Sequence, residues 1–205
     1  MDGAVHSLDI SNNGERIVIG GLTSEEIIVL GKHNNTPLWT YSTSGSVETI
    51  QITFDGKYLA AGTNNKIYFF DTNSSNPLWT YSSPAENLDM SDNADYIVVA
   101  GSHTDKVYLF SKFSGNPLWI YEADDRVNDV SISFDGNYIS AVSNDDYIYF
   151  FEKSSNEVLW SQSCEMETGD ENCWSTSLSG DGKYLAVGTN EGNLYVYNNY
   201  GVSRP

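Results

Sequence analysis

The chain is poor in cations: Lys and Arg together number 10 against 28 Asp and Glu in 205 residues, a formal net charge of −18. That field repels phosphate backbones and anionic headgroups, so nucleic-acid and membrane-surface partners are disfavoured. Long apolar runs are absent as well. Nothing approaches the roughly eighteen residues of a membrane span, and the opening segment MDGAVHSLDIS has neither the basic nor the apolar region of a signal peptide. Membrane insertion is therefore not expected, nor is a signal peptide within the sequence. Only two cysteines occur, Cys164 and Cys173, too few for a zinc-binding cysteine cluster. There is no Gly-x-Ser-x-Gly elbow and no phosphate loop. No segment sustains a helical period, which leaves an α/β arrangement without support. Even so, 40% of the residues are hydrophobic, ample for a buried core.

Against these absences stands a repeat. Trp39, Trp79, Trp119 and Trp160 recur at intervals of 40, 40 and 41 residues. The first three end Pro37-Leu38-Trp39, Pro77-Leu78-Trp79 and Pro117-Leu118-Trp119, with Tyr41, Tyr81 and Tyr121 two residues on; the fourth copy, Val158-Leu159-Trp160, is degenerate. A turn followed by an apolar run precedes them in FDGKYLAAGT (54–63), FDGNYISAVS (134–143) and SGDGKYLAVGT (179–189), and more loosely in NNGERIVIGG (12–21) and DNADYIVVAG (92–101). Asp-Gly permits the positive φ of a tight hairpin, so one strand should enter each turn and another leave it. Two more strand-like runs complete each unit. One is alternating, as in Val47–Ile52 and Val127–Ile132; the other is aromatic and β-branched, as in KIYFF (66–70), KVYLF (106–110), YIYFF (147–151) and LYVY (194–197). Each unit thus reads as four short strands, a to d, with the tryptophan in d.

Four antiparallel strands per unit cannot bury both faces alone, so neighbouring units must stack, and radial stacking gives a propeller. The expected fold class is all-β: a β-propeller of four-stranded antiparallel blades with about five repeat units, spanning 4–41, 46–81, 85–121, 126–161 and 173–205 in a single domain. The recurrent Leu and Trp read as wedges between blades. The last unit ends where its d strand should begin, so the sequence predicts that this outer strand is missing and that the ring is incomplete or part of a larger one.

The segment SFDGNYISAVSNDDYIYFF (133–151) resembles the WD-repeat pattern of turn, small residues and aromatic strand, without the tryptophan-aspartate dipeptide or the glycine-histidine pair. The segment SGNPLWIY (114–121) is similar to the tryptophan-docking motif of PQQ-type quinoprotein propellers. Ser114, Gly115, Asn116 and Trp119 fill that pattern, and Asp71 stands at its acidic position upstream of Trp79. The resemblance covers essentially the whole chain and implies a propeller, a fold that hosts unrelated activities. Quinoprotein dehydrogenases set adjacent cysteines against the cofactor beside a calcium site. Cys164 and Cys173 are not adjacent and no cofactor motif carries over, so no cofactor is expected.

The repeat breaks its own rule once. Trp160 lies thirteen residues before Cys173, whereas Trp39 lies eight before the matching Val47, so five residues are inserted. Two cysteines bracketing this loop predict a disulfide, hence an oxidising compartment and an extracellular or cell-surface location, with a cytoplasmic protein as the alternative. Inside the loop, Glu165, Glu167, Asp170 and Glu171 are candidate calcium ligands, although they lack the Asp-x-Asp-x-Asp-Gly pattern. His6, His33 and His103 fall at unrelated positions in the repeat. Asn34 and Asn73 begin glycosylation sequons in c–d loops. Glu48, Glu86, Asp124, Asp125 and Asn128, around the start of strand a, are candidates for contacting a protein or glycan partner. The expected function is a non-enzymatic binding or structural scaffold outside the cytoplasm. The alternatives are a piece of a quinoprotein-like enzyme with catalytic parts outside this chain, and a cell-surface or filament subunit that self-associates through its incomplete ring.

Overall fold

A computed structural model of the chain describes residues 3–33, 35–101, 103–164, 172–198 and 203–204. These residues form an all-β structure of five antiparallel four-stranded sheets, each a simple meander. Sheet 1 holds β1 (Val5–Ile10), β2 (Arg16–Gly21), β3 (Glu26–Gly31) and β4 (Pro37–Ser42). Sheet 2 holds β5 (Val47–Ile52), β6 (Tyr58–Thr63), β7 (Ile67–Asp71) and β8 (Trp79–Tyr81). Sheet 3 holds β9 (Asn87–Met90), β10 (Tyr96–Gly101), β11 (Lys106–Ser111) and β12 (Ser114–Glu122). Sheet 4 holds β13 (Val127–Ile132), β14 (Tyr138–Ser143), β15 (Tyr147–Glu152) and β16 (Val158–Ser163). Sheet 5 holds β17 (Cys173–Leu178), β18 (Tyr184–Thr189), β19 (Leu194–Asn198) and β20 (Ser203–Arg204). Among the described residues no helix is long and apolar enough to cross a membrane.

The turn between the first two strands of every sheet is built the same way. Its hinge residue takes a left-handed φ at Gly14 (68°), Gly56 (74°), Gly136 (72°) and Gly182 (66°), with Ala94 (55°) in the same role in sheet 3. Three residues earlier a Ser or Thr hydroxyl accepts the N–H that opens the next strand. Thr53 does so for Tyr58 at 3.0 Å, Ser133 for Tyr138 at 3.1 Å and Ser179 for Tyr184 at 3.0 Å. The same hydroxyl donates to the acid just before the glycine, at 2.7 Å from Thr53 to Asp55 and from Ser133 to Asp135. The hairpin chemistry therefore rests on four positions, of which the Asp-Gly pair is only half.

Consecutive sheets stack through their first strands, β1 on β5, β5 on β9, β9 on β13 and β13 on β17. The described residues accordingly form four separate cores, each between two sheets. One joins Ile67 and Phe69 of sheet 2 to Leu88, Met90 and Ile97 of sheet 3; the next joins Val107 and Leu109 to Val130, Ile132 and Ile139. Period-two alternation makes this possible, because the two faces of one sheet feed two different cores.

Each repeat tryptophan spans such a junction. The indole N–H of Trp39 donates to the Thr72 carbonyl at 2.7 Å, that of Trp79 to Lys112 at 3.2 Å and that of Trp119 to Lys153 at 2.9 Å, always in the following sheet. The rings pack on aromatics of that sheet, with centroids 5.4 Å apart for Trp39–Phe70, 5.3 Å for Trp79–Phe110, 5.5 Å for Trp119–Phe151 and 5.9 Å for Trp160–Tyr197. The wedge role holds for tryptophan and fails for leucine. Leu38, Leu78, Leu118 and Leu159 are all more than half exposed, because adjacent residues of an outer strand point to opposite faces and Trp takes the covered one.

A second correction concerns the last unit. Ser203 and Arg204 pair with Tyr197 and Val196, so sheet 5 does have a fourth strand, two residues long. Backbone pairing along the free edge of β19 needs no tryptophan, and the Pro-Leu-Trp signature was therefore too strict a test for that strand.

Candidate functional site

The inner edge of the assembly is made of the five first strands. The outward N–H groups of such an edge have no neighbouring strand to bond, and an unbonded buried amide is costly. The chain answers with side chains at alternate positions: Ser7 and Asp9, Thr49 and Gln51, Asn87 and Asp89, Asp129 and Ser131, Ser175 and Ser177. In the first four sheets such side chains bond the following inner strand. Asp9 accepts the Ile52 N–H at 2.9 Å, Ser7 that of Ile50 at 3.0 Å, Asp89 that of Ile132 at 2.9 Å, Asp129 that of Thr176 at 2.8 Å and Ser131 that of Leu178 at 3.1 Å.

Most of these residues line an inner cleft with two neighbouring chambers, which share Gln51, Met90 and Phe134. The larger, about 410 Å³, is bounded by Gln51, Asn87, Asp89, Asp129, Ser131 and Ser177 among others. The smaller, about 250 Å³, opens at the turn end between Asp9, Asn12, Gln51, Phe54, Asp92 and Phe134. Among the described residues no Lys or Arg lines either chamber. Phe54 and Phe134 are both more than half exposed at this mouth. Phe134 is held by backbone bonds on both sides, accepting from Asp92 at 3.0 Å and donating to Gly180 at 2.9 Å. A Cβ on Gly180 would stand 2.5 Å from the Phe134 ring, so glycine there makes room for it.

Burial makes Asp129 and Asp89, both in the larger chamber, weak acids. Asp129 is pushed up to about 6, first by burial and further by neighbouring Asp89, against the opposing bonds from Thr176, Val130 and Asn87. Asp89 is also raised by burial, although the Ile132 and Met90 N–H groups and the Ser131 hydroxyl favour its charged form. Asp89 and Asp129 are linked through Ser131, whose hydroxyl donates to Asp89 at 3.0 Å, and through Asn87, whose amide donates to Asp129 at 2.5 Å.

The residues singled out around the start of strand a stand at the opposite end, and most are paired internally. Glu48 lies 3.6 Å from His6, whose Nδ1 is also 3.1 Å from the Glu48 carbonyl. Glu86 is ion-paired with Arg126. The Asp124 N–H donates to Asp145 at 3.0 Å, and the Asp125 carboxylate accepts the Arg126 N–H at 2.6 Å. Asn128 donates to Asn144 at 2.7 Å and to the Cys173 carbonyl at 2.8 Å, bridging sheets 4 and 5.

Cys164 and Cys173 form the disulfide, with Cα atoms 5.9 Å apart. Both are fully buried in the core between sheets 4 and 5, with Ile148, Phe150, Leu185 and Val187, so the bond staples two sheets besides closing the loop. The calcium candidates Glu165, Glu167, Asp170 and Glu171 and the sequon residue Asn34 lie outside the described residues. Asn73 is exposed, and its amide donates to Asp71 at 3.0 Å. Among the described residues no three His, Cys, Asp or Glu side chains are grouped as a metal site.

The inner ladder was the feature sequence reasoning missed. Its signal was present seven and five residues before each turn hinge, where Ser, Thr, Asn, Gln or Asp interrupts an otherwise apolar strand. Comparison with known proteins gives one family: a model described as a family of unknown function (DUF5711) matches residues 32–198. No curated protein matches the chain.

Proposed function

We propose that this chain, which belongs to the DUF5711 family of unknown function, is a non-enzymatic binding scaffold whose sheets are β-propeller blades and whose recognition site is the mouth of the inner cleft. The consecutive stacking of four-stranded sheets through their first strands supports the propeller reading. The single observation carrying the binding reading is the chamber between Phe54, Phe134, Asp9 and Asp92, which combines exposed aromatic faces with carboxylates and, among the described residues, is lined by no Lys or Arg. Such a mouth suits a basic segment of a partner protein: an ammonium or guanidinium group gains from both carboxylates and ring faces. The net charge of −18 would speed the encounter. The Cys164–Cys173 disulfide supports placement outside the cytoplasm.

Fluorescence anisotropy with a labelled Lys- and Arg-rich peptide tests this, using an acidic peptide of equal length as control. The basic peptide binds with an affinity that falls as salt rises, and Phe134→Ala and Asp92→Asn each weaken it about fivefold, roughly 1 kcal/mol. Equal binding of both peptides, or indifference to both substitutions, would overturn the assignment.

A further inference from the structure

Each of the four cores joins the trailing face of one sheet to the leading face of the next, and among the described residues one face of each kind is left uncovered. On the leading side, Val47, Ile50 and Ile52 of β5 are 0%, 2% and 8% exposed, and the matching residues of β9 and β13 are equally covered by the sheet before them. The same positions in β1 are Val5, Leu8 and Ile10, exposed by 49%, 64% and 53%. On the trailing side, Ile27, Ile67, Val107 and Ile148 are fully buried, as are Val29, Phe69, Leu109 and Phe150; their counterparts in β19, Leu194 and Val196, are 71% and 41% exposed.

Finer details of the junction are open in the same way. A Cβ on Gly136 or Gly182 would stand 2.5 Å from the ring of Tyr96 or Tyr138 in the preceding sheet. Gly14 has nothing within 4 Å of that point, and Tyr184, the counterpart of those tyrosines in sheet 5, is more than half exposed. Ser7 and Ser131 accept N–H groups from the following inner strand, whereas Ser175 and Ser177 in the last one are exposed. Among the described residues β1 and β17 share no packing comparable to that between successive sheets, so these two faces do not cover each other.

We propose that the leading face of sheet 1 docks on the trailing face of sheet 5 in a second copy of this chain, head to tail. The contact would repeat the arrangement already present four times within one chain. Leu8 and Ile10 would take the places of Ile50 and Ile52, Leu194 that of Ile67, and Val196 that of Val29, while Tyr184 would close over Gly14 and Ser175 and Ser177 would bond the free edge of β1. These apolar positions carry no charge that must be desolvated, so the contact meets the condition under which apolar burial drives association. Two different faces meet, so the interface is heterologous, and copies either close into a ring or extend as a chain.

Light scattering on sized protein, from low micromolar to near-millimolar concentration and in salt sufficient to screen the like charge, reads the outcome. The mass rises above 22.7 kDa with concentration. Leu8→Glu blocks one face and Leu194→Glu the other, and each variant alone stays monomeric. Mixed in equal amounts, they retain one intact face each and give a species of twice the monomer mass that grows no further. Ile10→Asp and Val196→Asp form an independent pair with the same expectation, and matching circular dichroism confirms that each variant is folded. A wild-type monomer throughout, undiminished association in either single variant, or a mixture that stays monomeric would overturn the proposal.

Discussion

The Asp129 carboxylate, on one inner strand, accepts the backbone N–H of Thr176, on the next, at 2.8 Å. This bond does for two stacked sheets what a ladder bond does within one. It also holds a half-buried acid against a strand edge, with Asp89 as a like-charged neighbour.

Stability should therefore depend on pH in a defined sense. The folded pKa of Asp129, about 6, lies above its ordinary 3.8, so its contribution is fully present below about 3.8 and is lost as pH rises through 6. Asp89 acts in the same direction. Asp181, lowered to about 2 by the hydrogen bond from Lys183, and Asp95, lowered by Lys112, act oppositely and lose their contributions as pH falls below the normal carboxylate range. Melting temperature should rise from pH 8 to about pH 5 and fall again in stronger acid. Asp129→Asn should raise stability at pH 8 by on the order of 2 kcal/mol and flatten the upper limb. An unchanged slope between pH 5 and 8 in that variant would count against the assignment.

Trp119→Ala should cost about 3 kcal/mol in urea unfolding, the lower end of the range for such truncations because the ring is only half-buried. Trp119→Phe keeps most of the contact with Phe151 and loses the bond to the Lys153 carbonyl, so its cost should be nearer 1 kcal/mol.

Removing the disulfide by Cys164→Ala with Cys173→Ala should lower stability by roughly 2–3 kcal/mol from loop-closure entropy alone. Both sulfurs are buried in the core between sheets 4 and 5, so reductant should act slowly on the native protein and quickly once it is unfolded. Thiol labelling with and without denaturant measures the difference.

Two turn glycines separate backbone strain from packing. Gly14→Ala meets no neighbour and should cost only about 1 kcal/mol for its left-handed φ of 68°. Gly136→Ala adds a Cβ 2.5 Å from the Tyr96 ring at a φ of 72°, so it should cost clearly more. Equal melting temperatures for the two variants would contradict the packing of Tyr96 on this turn.

The sequence by itself determined the local pattern. Hinge glycines such as Gly56 and Gly136, the aromatic third strands and the tryptophan interval are short-range signals, and they placed every strand but the last of sheet 5 within a few residues. Pairing Cys164 with Cys173 needed no more than their position around an inserted loop. Tertiary structure decided what lies between units. That Leu38 is exposed while Trp39 is not, that Asp9, Asp89 and Asp129 serve the edge of another sheet, and that Phe54 and Phe134 share one mouth all depend on contacts more than thirty residues away. An isolated strand has two equivalent faces, and only the neighbouring sheet makes one of them an interior.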